Sequence, residues 1–201
     1  SFLFSENANH LIFNKICIIP DQAELIEIYN PLNLDVDLSN YYLSDHNSYY
    51  NWIDGESNIS PQDFLIKFPS GSIISSGSTF TITTATNEDF LAYYDYQPNL
   101  SLIDSNFEDF EIGSTPNLSN SSEMLILFYW DGESSTIKDV DYFLWGNNNP
   151  GVSKTTDEGY SFDDTLLENQ IFIRNYAASE LYDSLYVRNC IDEYDEIQIN
   201  G

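Results

Sequence analysis

The chain has 201 residues, of which 6 are Lys or Arg and 33 are Asp or Glu, for a formal charge of -27 at pH 7. So few cations cannot neutralise a run of phosphates, which excludes ordinary DNA or RNA binding and disfavours anionic membrane surfaces. A hydrophobic content of 42%, with 3 Trp, 15 Tyr and 13 Phe, still supplies a core, whereas disorder needs low hydrophobicity as well as high charge.

The length suits a single domain over residues 1–201. No segment approaches the roughly 20 apolar residues of a transmembrane helix, and the start, SFLFSENANH, lacks a basic n-region and an initiating Met, so it reads as a mature or excised product. Acidity, abundant Asn and Ser and scarce Lys favour a secreted or cell-surface setting. Two cysteines, Cys17 and Cys190, are too few for a disulfide scaffold. They would close a very long loop if oxidised, but the favoured reading is two separate small buried hydrophobes.

In chain order, residues 11–19 (LIFNKICII) and 23–29 (AELIEIY) read as strands, and Asn30-Pro31 ends the second because proline lacks a ladder donor. Short apolar stretches follow at 34–38 and 41–43. Residues 49–53 (YYNWI) read as a strand or an aromatic loop ending at Asp54-Gly55. Further strands are expected at 63–68, 73–74 and 78–84, separated by Gly-containing turns, in the frequent short-strand spacing of a sandwich. Residues 87–96 carry the best helix pattern, with Asn87 as cap and Phe90 and Tyr94 one turn apart. The polar stretch to about 122 is expected to be irregular. Residues 124–130 and 137–145 form a hairpin turning near Asp131-Gly132, with Asp141 buried. Further strands are expected at 171–175 and 185–191.

Three of these segments resemble the lamin-tail domain family, found at the end of nuclear intermediate filament proteins and as a module of bacterial secreted proteins. IEIYNP at 26–31 is similar to its early strand-and-turn motif. DLSNYYLSD at 37–45 is similar to the next strand, with Asn40 where the family commonly has Gly. DGESSTIKDVDYFLWG at 131–146 is similar to its late hairpin, in particular Val140, Asp141, Phe143, Trp145 and Gly146. The resemblance implies an all-β, immunoglobulin-like β-sandwich with a short helix and long polar loops. The core would span about 11–175, with 176–201 as a C-terminal extension, and it implies no enzyme. Lys15 stands where the family commonly has an acid, and the stretch 86–122 is longer and more polar than the family pattern.

Glu27 alternates with Leu25 and Tyr29 and reads as an inward carboxylate that accepts hydrogen bonds from the neighbouring turn. Asp141 shares parity with Phe143 and Trp145, so it must be paired, hydrogen-bonded or protonated among aromatics. With Asn30, Trp145 and Gly146 these are assigned structural roles. Acid pairs are numerous enough to arise by number alone. The two histidines, His10 and His46, belong to no HExxH, CxxC or GxSxG pattern, and no phosphate loop occurs. Tyr49, Tyr50 and Trp52 form a candidate platform for a glycan or peptide. Ca²⁺ is a candidate ligand of the acid-rich loops, at Asp131 and Glu133 or at Asp157, Glu158, Asp163 and Asp164; no other cofactor is expected. The expected function is a non-catalytic extracellular structural or interaction module contacting protein or polysaccharide. The alternative is an accessory or targeting domain of a larger secreted hydrolase.

Overall fold

The computed structural model describes residues 10–55, 59–135, 137–145 and 187–189. Two five-stranded sheets dominate it. The first runs in the order β12-β1-β2-β7-β8, built from β1 (Ile12–Ile19), β2 (Leu25–Tyr29), β7 (Thr79–Thr83), β8 (Leu100–Ser101) and β12 (Val187–Asn189). The second runs β11-β10-β4-β5-β9, built from β4 (Tyr41–Ser44), β5 (Phe64–Lys67), β9 (Phe110–Ile112), β10 (Glu123–Tyr129) and β11 (Lys138–Trp145). A two-stranded ribbon, β3 (Val36–Asp37) with β6 (Ile73–Ile74), stands beside them. The fold is thus mainly β with one short helix, in line with an immunoglobulin-like sandwich.

The alternation of side chains sorts each strand between the inter-sheet core and an outer face. On β2, Ile26 and Ile28 are fully buried in the main cluster, as are Leu43, Ile66, Leu125 and Leu127 from the second sheet. Strand β1 keeps Phe13, Ile16 and Ile18 on that side although their parity changes, because the register with β2 shifts between Phe13 and Lys15. A bulge of this kind moves a strand's later residues onto the other face.

The helix α1 (Asn87–Tyr94) caps on Thr86 and not on Asn87: the Thr86 side chain accepts from the Asp89 N–H at 3.1 Å and donates back to the Asp89 carboxylate at 2.7 Å. Its end is set by Asp95 at φ 59. Phe90 drops from it onto Cys17 and Leu25, so the helix covers the outer face of the first sheet.

Other expectations change in the structure. Residues 49–53 are neither strand nor open loop but belong to a 3₁₀ helix (Tyr49–Asp54) stopped by Gly55 at φ 79. The stretch expected to be irregular supplies β8 and β9, of two and three residues and too short to show as strands in sequence. The strand expected at 185–191 is present as β12, within the stretch read as a C-terminal extension, and pairs in parallel with β1, Cys17 opposite Arg188. The strand expected at 171–175 lies outside the described residues.

Candidate interaction face

The hairpin of β10 and β11 pairs Leu127 with Asp141 and Phe128 with Asp139, with the register shifting between them. Asp139 and Asp141 therefore face opposite sides of the sheet, although their spacing alone would place them together. Asp141 points into the sandwich, 4% exposed, and accepts the Phe13 N–H at 2.7 Å and the Tyr142 N–H at 3.0 Å. One carboxylate thereby joins the bulged part of β1 to the bulged part of β11 and ties the two sheets. Asp139 lies under the outer face, where the Tyr49 hydroxyl donates to it at 2.9 Å.

That outer face is aromatic where an antiparallel sandwich usually turns polar residues to water. Tyr42 and Phe128 are cross-strand partners stacked at 5.0 Å, and Tyr49 closes over Phe128 at 5.3 Å. At the rim, Trp52 and Trp130 meet edge to face at 5.8 Å and both contact Tyr42, at 5.3 and 6.2 Å. The Trp130 Nε1–H donates to the Ser134 carbonyl at 2.7 Å, which fixes the ring on its loop. The Lys67 ammonium sits 5.9 Å from the Tyr42 ring centre.

Of the three residues expected to form a platform, Tyr49 is fully buried and serves as packing. Its hydroxyl had an acceptor waiting in Asp139, so burial cost it no hydrogen bond. Tyr50 and Trp52 remain half-buried. Trp130 was missed because it lies far away in sequence; the signal was the residue after an outward-facing aromatic series on a strand that pairs with Tyr42.

Glu27 does not face inward. It is half-buried on the outer side of β2, opposite Lys15 and Thr81, and accepts from the Asn14 amide at 2.5 Å. Turn fixing belongs to Asn30, wholly buried, which accepts the Leu32 N–H at 3.0 Å and donates to the Leu34 and Ile74 carbonyls at 2.9 and 3.0 Å. Trp145 is the last residue of β11, and Gly146 lies outside the described residues.

Asp131 spends both carboxylate oxygens on its own turn, accepting from the Glu133 and Ser134 N–H groups and from the Ser134 hydroxyl. Those bonds, the Ser134 hydroxyl first, hold its pKa down to about 2. Glu133 is exposed beside it. Among the described residues no group of three or more His, Cys, Asp or Glu is arranged to hold a metal ion. Asp157, Glu158, Asp163 and Asp164 lie outside the described residues.

Two deeply buried acids escaped the sequence reading. Glu24 accepts from the Thr84 hydroxyl at 2.6 Å and the Leu118 N–H at 2.9 Å, and burial still pushes its pKa up to about 7. Asp45 takes the Phe64 N–H at 2.7 Å, and burial raises it well above the usual carboxylate range. Nearby, Asp63 is hydrogen-bonded by His46 Nδ1 at 2.8 Å; burial raises its pKa less than the bonds from His46 and Ser60 lower it.

Cys17 is disulfide-bonded, which overturns the reading of it as a separate buried thiol. The one other cysteine of the sequence is Cys190, outside the described residues.

The family model described as Lamin Tail Domain matches residues 5–143. The chain belongs to the lamin tail domain family. The match begins before β1 and ends inside β11, so the Asp141 tether falls within it and β12 beyond it. Comparison with curated proteins gives no match. This lamin tail domain is a non-catalytic module, and its described helices include none long and apolar enough to cross a membrane.

Proposed function

We propose that this lamin tail domain is an exported interaction module that contacts polysaccharide with the rim of its aromatic outer face. The observation that carries the reading is the Trp52–Trp130 pair, half-buried and held edge to face over Tyr42. Rings fixed by packing and by the Trp130–Ser134 hydrogen bond lose little freedom when a sugar face lies against them. A neutral glycan also escapes the repulsion that a charge of -27 imposes on anionic partners. Tyr50, beside Trp52 in the 3₁₀ helix, adds a hydroxyl-bearing ring to the same rim. Export is supported by the disulfide at Cys17, since such bonds persist in oxidising compartments.

A glycan array on the purified chain, followed by titration with tryptophan emission as readout, tests this. Binding of a neutral polysaccharide that shifts the emission and is lost in Trp130→Ala supports the platform. Silence across the array, or binding untouched by Trp52→Ala and Trp130→Ala, overturns it.

A further inference from the structure

A different surface, independent of the polysaccharide reading, lies at the edge of the second sheet. Strand β9 is the last of that sheet, and no described strand lies beyond it. It pairs antiparallel with β5, Ile66 opposite Phe110, Leu65 opposite Glu111 and Phe64 opposite Ile112. The Lys67 N–H donates to the Asp109 carbonyl at 3.0 Å, and the Gly113 N–H to the Asp63 carbonyl at 2.9 Å. Hydrogen-bonded and non-hydrogen-bonded pairs alternate along an antiparallel ladder. Residues 109, 111 and 113 therefore spend their backbone groups on β5, while Phe110 and Ile112 direct theirs away from it.

The side chains of β9 alternate as well. Phe110 and Ile112 lie on the core side, across from Ile66 and Phe64, and Phe110 is 52% exposed because nothing among the described strands covers it. Phe107 packs on it at 6.0 Å and reaches the main core. Glu111 lies on the opposite side, with Asp109, whose carboxylate meets Lys67 at 3.4 Å. Position 113 is held by backbone contact: a Cβ there would come within 2.2 Å of the Pro61 carbonyl oxygen, so only glycine lets the strand end lie this close.

We propose that β9 accepts an added β-strand from a partner protein, and that this strand alternates apolar with basic residues. Its backbone would pair with the outward groups of Phe110 and Ile112, the usual basis of strand addition at a sheet edge. Its apolar side chains would cover Phe110 and the core margin. Its Lys or Arg side chains would face Glu111 and Asp109. Natural edge strands are protected against self-association by charge and shortness, and here the protecting charge is all of one sign. A second copy of this chain is thereby refused. The sequence agrees: its basic residues are Lys15, Lys67, Lys138, Lys154, Arg174 and Arg188, no two of them at strand spacing. The partner must bring the cations itself.

The test uses a fluorescent peptide of alternating valine and lysine, a peptide of the same composition with its lysines in one block, and an alternating valine–glutamate peptide, each titrated against the whole chain by anisotropy. Amide hydrogen exchange is followed by NMR. The alternating basic peptide should bind at least about tenfold more tightly than the other two. On binding, the Phe110 and Ile112 amides should gain protection, while Glu111, already bonded to β5, should not change. Phe110→Pro, which removes an outward donor that β5 does not use, and Glu111→Lys, which leaves the ladder intact, should each weaken binding by about tenfold. Equal affinity for the blocked peptide would mean charge attraction alone. That result, protection arising elsewhere, or no binding would overturn the proposal.

Discussion

The outer faces of the two sheets are covered by different means. On the first, α1 lays Phe90 and Tyr94 over Cys17 and Leu25, with Tyr96 edge-on to Phe90, and Glu27, Thr81 and Thr83 lie beside them along β2 and β7. On the second, the cover is a 3₁₀ turn and a set of stacked rings, with the Tyr49–Asp139 hydrogen bond as a polar tie. The first face is closed by a helix whose cap, Thr86, is specified locally and by a covalent bond at Cys17. The second is closed by residues far apart in sequence. A cover built mainly from aromatic area leaves ring edges at its rim, and those edges are what the proposed polysaccharide would meet.

If that contrast is right, the first face should depend most on its covalent link. With Cys190 as partner, the bond closes a loop of about 170 residues, worth about 5 kcal/mol in the chain-entropy account. Cys17→Ser should lower stability by about that amount in denaturant titration. The unreduced, unfolded protein should also weigh two hydrogens less than its reduced form. A reduced chain of equal stability would make the two covers alike.

Packing is the next discriminant. Phe90→Ala on the first face and Phe128→Ala on the second both empty a fully buried aromatic site and should each cost about 3 to 5 kcal/mol. Only Phe128→Ala should also change the near-ultraviolet signal of the tryptophans, because Trp52 and Trp130 rest on Tyr42, which stacks on Phe128.

Much of this fold was legible in the chain. The strands from residue 11 to 84, the helix and the late hairpin follow from local alternation and turn residues, and Asp141 was placed in the interior by its parity with Phe143. What sequence parity could not carry was the effect of bulges. A single extra residue near Val140 separates Asp139 from Asp141, and another near Asn14 keeps Phe13 and Ile16 on one face. Glu27 was misplaced for a related reason: its strand turns Ile26 and Ile28 inward, and Leu25, which looked like core, is buried under the helix instead. Glu24 and Asp45 carry no local mark, since what buries them, Leu118 and Phe64, arrives from elsewhere.

Asp141 belongs to neither outer face, and its removal should test whether the sheets hold together without it. Asp141→Ala leaves the Phe13 N–H buried without its acceptor, which costs about 1 to 3 kcal/mol. Asp139→Asn should cost less, because an amide oxygen still accepts from Tyr49. Exchange of the Phe13 amide should speed in the first variant and not in the second.

The finest test of the contrast is the pH dependence of stability: burial raises the pKa of Asp45 and Glu123, at the ends of β4 and β10 in the second sheet, and beneath the first cover it raises that of Glu24. Its folded pKa, about 7, is above the 4.5 of a free glutamate. A raised pKa means that the folded state holds its proton more tightly than the unfolded one. The stabilisation is therefore complete below about pH 4.5 and is lost as pH rises through about 7. Full loss corresponds to about 3 kcal/mol at most, shared with the general repulsion of a chain at -27, which also grows with pH. Glu24→Gln separates the two contributions. The amide keeps a carbonyl oxygen for Thr84 and Leu118 but cannot ionise. The variant should match the parent near pH 5 and exceed it at pH 8, while added NaCl should flatten the residual slope of both. A variant whose melting temperature tracks the parent at every pH would assign the slope to surface charge together with Asp45 and Glu123, and remove Glu24 from the account of the first face.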